Sequence, residues 1–190
     1  MIVLASFGCH ESGSIEATRF TVAAHGTKCV VIADLVSTRD SSNVDLDIKA
    51  CAASTCSASS HTGVADGPFV PGRAKTSVFE VENCPPKPDR VVVEVSRWGS
   101  ANAIVPPRAT VDHVAKTPSD GGSCNVAATV HVAQPAAASS VILVARDAET
   151  RPLDRSRALI AIPSGAAQPV TETFRVPCER IAAVDAEVIQ

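Results

Sequence analysis

Seven cysteines (Cys9, Cys29, Cys51, Cys56, Cys84, Cys124 and Cys178) are distributed among short, alternating runs of apolar and β-branched residues. That combination restricts the chain to strands stapled by cross-links, a design that persists in oxidising compartments. A zinc ribbon would need two close cysteine pairs, and here only Cys51 and Cys56 are close, with no second pair to answer them. No histidine or basic helix terminus marks a reactive thiol. Structural disulfides are therefore the leading reading. The expected pairs are Cys51 with Cys56 across a tight turn, Cys29 with Cys84, and Cys124 with Cys178, although spacing alone does not fix connectivity. The odd count leaves Cys9 unpaired or intermolecular.

Cys9 ends an apolar stretch, Met1 to Gly8. The stretch resembles in part the end of a bacterial lipoprotein signal, which makes Cys9 a candidate lipid anchor. Two other readings stand beside it. Residues 1–14 form the first strand of the protein's own sheet, or a strand donated to a neighbouring copy with Ile2, Leu4 and Phe7 filling pockets there.

Hydrophobic residues make up 45% of the 190 positions and charged ones 19%, enough apolar material for a proper core. The net charge of −3 and the lack of any Lys/Arg run give no electrostatic footprint for nucleic acid, so nucleic acid is excluded as a partner. No transmembrane helix is expected. With no Tyr and only Trp98 for its indole, the core must come mainly from Val, Ile, Leu and Ala, which suit a pleated surface.

Alternation marks strands at Ile15 to Ala23, Lys28 to Val36, Val44 to Lys49, Lys75 to Glu82, Arg90 to Trp98 and Ala109 to Ala115. Five more follow at Asn125 to Ala133, Ser140 to Arg146, Arg157 to Pro163, Val170 to Val176 and Ile181 to Ile189. Ala52 to Gly72 and Asp147 to Ala158 read as loops. Thr117 to Gly122 has turn chemistry and no apolar anchor, so it reads as a linker. The expected fold is all-β, with two consecutive antiparallel β-sandwich domains of jelly-roll or Ig-like type. They cover 15–116 and a smaller 123–190, joined by the linker 117–122.

Phe20 to Thr27 followed by Lys28 to Ile32, then Val44-Asp45-Leu46-Asp47-Ile48 and Asp89 to Val95, resembles the bacterial pre-peptidase C-terminal domain over residues 15–116. The resemblance implies a β-sandwich appended to secreted enzymes and surface proteins, some of which bind calcium. Asp45 and Asp47 share one strand face and, with Asp34 or Asp40, are weak candidates for Ca²⁺ ligands, the solvated strand face being the favoured reading. No other cofactor is expected. His10, His25, His61, His113 and His131 are scattered singly and read as surface residues.

No Gly-x-Ser-x-Gly elbow and no phosphate loop is present, so no enzymatic activity is expected. By regular alternation Trp98 falls on the face opposite Val91, Val93 and Val95, either exposed for a glycan or plugging the end of the sandwich, with the plug favoured. The sequence thus leads to a non-catalytic extracellular structural protein, secreted or at a bacterial-type cell surface, that associates with copies of itself or other surface proteins. A secreted glycan- or protein-binding accessory module, Ca-stabilised in one version, is the alternative.

Overall fold

The computed structural model describes residues 13–64, 68–100, 105–133, 136–162 and 167–189, and thirteen antiparallel strands fill most of that length, with no α-helix among the described residues. The strands are β1 (Ile15–His25), β2 (Lys28–Ser37), β3 (Val44–Ala52), β4 (Thr55–Cys56), β5 (Ser60–Val64), β6 (Ala74–Glu82) and β7 (Arg90–Trp98). They continue with β8 (Ala109–Ser119), β9 (Ser123–Val132), β10 (Ala136–Arg146), β11 (Pro152–Ile162), β12 (Gln168–Phe174) and β13 (Ala183–Ile189). Met1 to Gly8, including Ile2, Leu4 and Phe7, and also Cys9, lie outside the described residues.

Strict alternation explains which faces are buried. On β2, Cys29, Val31, Ala33 and Leu35 point into one cluster, and Val44, Leu46 and Ile48 of β3 meet them from the opposite sheet. Phe69, Phe79, Val81 and Val91 complete that cluster. A second cluster forms from Cys124, Val126, Ala128 and Val130 of β9 against Val141, Leu143 and Ala145 of β10, with Phe174, Ile181 and Val188.

The two clusters are enclosed by the same pairing scheme used twice. β2 lies between β1 and β6, and β3 between β5 and β7. Later in the chain β9 lies between β8 and β12, and β10 between β11 and β13. β1 adjoins β7 and β5 adjoins β6 in the first set, just as β8 adjoins β13 and β11 adjoins β12 in the second. Register repeats too: Leu46 faces Val95, Ile48 faces Val93 and Ala50 faces Val91, while Val141 faces Val188, Leu143 faces Ala186 and Ala145 faces Val184. Both first strands carry a β-bulge, after Ala17 in β1 and after Asp112 in β8.

All three expected disulfides are present, and two of them occupy the same place in their sets. Cys29 near the start of β2 reaches Cys84 past the end of β6, and Cys124 near the start of β9 reaches Cys178 past the end of β12. Their sequence separations are 55 and 54, so each removes about 4 kcal/mol of loop entropy from the unfolded chain. Cys51–Cys56 closes a separation of 5 at the β3–β4 turn and contributes about half as much.

Several expectations change. The segment 117–122 is no linker: it holds the end of β8 and the 3₁₀ turn Asp120–Gly122 that returns the chain into β9. β8 accordingly belongs with 123–190 and not with 15–116, because its hydrogen bonds go to β9. The stretch Ala52 to Gly72, read as a loop, holds β4, β5 and the buried Phe69, which bridges Ser41. Most of Asp147 to Ala158 is strand, since Pro152 stands at the first position of β11, where its missing N–H costs nothing.

Trp98 shares the core face with Val91, Val93 and Val95. Val95 faces Leu46 and Arg97 faces Asp45, so Ser96 is an extra residue and reverses the parity of everything after it. Its hydroxyl donates to the Asp45 carbonyl at 3.1 Å and fixes the bulge. Trp98 then packs against the first cluster with the Arg39 guanidinium 5.0 Å from its ring centroid, a plug and not an exposed platform. Because the bulge is what places Trp98 inside, deletion of Ser96 is expected to turn this single tryptophan outward and shift its emission maximum to the red. An unchanged maximum, or a blue shift, would mean that the bulge does not set the face on which Trp98 lies.

Candidate functional site

The outward faces of the two strand sets meet at a buried ionic cluster. On β2 the residues between the core positions, Ile32 and Asp34, point away from the first cluster, as do Arg146 of β10 and Asp185 and Glu187 of β13 from the second. Asp34 is 0% and Arg146 6% exposed. Arg146 donates through Nη1 to Asp34 Oδ2 at 2.8 Å and through Nη2 to Asp34 Oδ1 at 3.3 Å, a two-pronged grip that only a guanidinium provides. Its Nε donates to Asp185, and Nη1 also reaches the Thr150 carbonyl at 3.1 Å. Burial by itself would lower the pKa of Arg146, but the bonds to Asp34 and Asp185 outweigh it and hold the guanidinium pKa above its ordinary value.

Thr76 of β6 extends the cluster. Its hydroxyl lies 2.7 Å from Asp34 Oδ1 and 2.7 Å from Glu187 Oε1, and its amide donates to Glu187 at 3.1 and 3.2 Å. A hydroxyl has one proton to give, so one of the two carboxyls must bring its own. Burial, reinforced by the charge of Asp34, pushes Glu187 above the usual carboxylate range against the opposing Thr76 bonds, so the site favours the protonated form of Glu187 more than water does. Arg155 Nη1 donates to the Thr76 carbonyl at 2.8 Å, and Thr21 Oγ1 to the Pro152 carbonyl at 2.6 Å. Beside these bonds Ile142, Val144 and Ile189, also on the outward face, form a third buried cluster.

The chemistry of this arrangement is adhesion of one strand set to the other. Asp34 accepts with both oxygens and Arg146 donates from all three of its nitrogens, so neither is poised for a substrate.

The remaining sequence candidates lie elsewhere. Asp45 and Asp47 do share a face of β3, but each already has a partner: Arg97 Nε donates to Asp45 Oδ2 at 2.6 Å, and His61 Nδ1 sits 3.1 Å from Asp47 Oδ1. A Ca²⁺ ion there would have to displace both. Asp34, considered with them, is on another sheet in the ionic cluster. The histidines are not all isolated, since folding brings His131 Nε2 to 2.9 Å and His113 Nε2 to 3.8 Å from Asp112. Comparison with known proteins finds no matching family model, curated protein or solved structure.

Arg146 was named only as a strand end by the sequence, and no local pattern announces its partner 112 positions away. Removing Asp34 strands a buried guanidinium, so Asp34→Ala is expected to cost about 3–5 kcal/mol in urea unfolding, with Asp34→Leu/Arg146→Met recovering most of it. A single-variant loss no larger than that of a surface residue would deny the cluster its role. Glu187 supplies a pH test. A folded-state carboxyl with a raised pKa holds a proton that the unfolded chain releases, so stability falls as pH rises from the ordinary carboxylate pKa through the raised one. Glu187→Gln should flatten that decline in urea midpoints taken between about pH 4 and about pH 8; an unchanged slope would place the proton elsewhere.

Proposed function

We propose that the chain is a non-catalytic extracellular structural protein, made of two consecutive antiparallel β-sandwiches with Ig-like strand order. In this reading they act as one stiff body within a cell-surface or extracellular assembly. The observation that carries the reading is the buried Arg146–Asp34 grip, because fully desolvated partners fix one relative orientation and penalise all others. Three disulfides support an oxidising setting. The similarity of 15–116 to the pre-peptidase C-terminal domain supports a non-catalytic accessory character, and no helix of the described residues is long and apolar enough to cross a membrane.

Self-association in this reading does not repeat the internal junction. The face of the first set equivalent to Ile142, Val144 and Arg146 carries instead Asp47 paired with His61 and Lys49 paired with Glu94, which are solvated pairs with little to gain from docking. Assembly is proposed to run through the apolar segment 1–14, with Cys9 as the intermolecular thiol. Light scattering of the whole protein with and without reductant tests it. Particles larger than the monomer that shrink on reduction are expected; a monomer under both conditions would overturn the assembly reading in favour of the accessory binding module.

A further inference from the structure

A cleft of about 230 Å³ opens where the two strand sets meet, between β6 and β13. Arg73 and Lys75 come to it from the first set, and Arg108 and Glu187 from the second. The protein is acidic overall, so two arginines along one small cleft do not follow from composition. Both are held in place. Arg73 Nη1 donates to the Pro106 carbonyl at 2.7 Å, which leaves its other N–H groups for a second acceptor. Lys75, opposite Leu35 on the core face of β6, turns its ammonium the other way, 4.8 Å from the centre of the Phe69 ring. Arg108 is seated by a backbone bridge to Glu187, and its exposed guanidinium makes no ion pair among the described residues.

Among the described residues one carboxyl lines the cleft, that of Glu187. Glu187 is turned into the hydrogen bonds of Thr76, and its burial favours the neutral acid. Pro68, Pro106 and Pro107 form part of the wall, so little backbone freedom remains to be lost on binding.

We propose that this junction cleft binds a small oxyanion: a carboxylate, sulfate or phosphate group recognised by Arg108 and Arg73. Forked guanidinium donors fit the paired oxygens of such groups, and a site walled by both strand sets excludes more water than either face alone. Binding would also tie the two sets together at a second point, beside the Arg146–Asp34 grip.

Calorimetric titration of the full chain with inorganic phosphate, sulfate and acetate, each at low salt, tests the site. Saturable one-to-one binding is expected for at least one of the three, weakening as sodium chloride is added. The anion bound most tightly identifies which group the cleft takes. Arg108→Ala should weaken it about tenfold or more, since a charge-assisted bond is lost, while thermal stability stays unchanged. Arg175→Ala, an exposed arginine on another surface, should leave affinity unaltered. An absence of saturable binding for all three anions, or equal losses in the two variants, would overturn the proposal.

Discussion

Arg146 is the group on which the joining of the two strand sets depends. Removing a guanidinium from water is costly, and it is repaid only where every donor finds a well-placed acceptor. Here Asp34, Asp185 and the Thr150 carbonyl supply those acceptors, from both sets. The result is less a gain in stability than a restriction of geometry: any rotation of one set on the other would leave buried charge unpaired. Ile142, Val144 and Ile189 add apolar contact at the same place, but such contact is non-directional and would tolerate sliding that the ion pair does not.

The recurrence of one pairing scheme gives this junction its meaning. If two copies of the same six-strand arrangement meet through unlike faces, the contact is head-to-tail, and such contacts extend indefinitely unless the end faces differ from the mated ones. They do differ. The outward residues of β3 are Asp45, Asp47 and Lys49, where β10 presents Ile142 and Val144. Charged, solvated end faces are what arrays of stacked units need to remain discrete.

Most strand positions were legible in the sequence, because period-2 alternation is local, whereas the sequence offered the disulfide pairs only as candidates, two of them joining cysteines 55 and 54 positions apart. Cys29, Val31, Ala33 and Leu35 announce an inward face on their own, and Cys124, Val126, Ala128 and Val130 do the same. Trp98 was placed on the wrong face by alternation since a single extra residue, Ser96, inverts parity without any compositional mark. The 117–122 turn was mistaken for a boundary for a related reason: Gly121 and Gly122 serve a tight hairpin as readily as a linker, and only the hydrogen bonds of β8 to β9 distinguish them.

The sequence by itself determined a cross-linked, all-β chain whose cores are built from small and β-branched residues, since these follow from side-chain chemistry and a two-residue period. The tertiary structure alone decided that Asp34 and Arg146 face each other, that Thr76 lies between the carboxyls of Asp34 and Glu187, and that Arg73 and Arg108 share a cleft. The physical reason is distance along the chain. A charge written at one position carries no sign of which charge, more than a hundred residues away, will be buried against it.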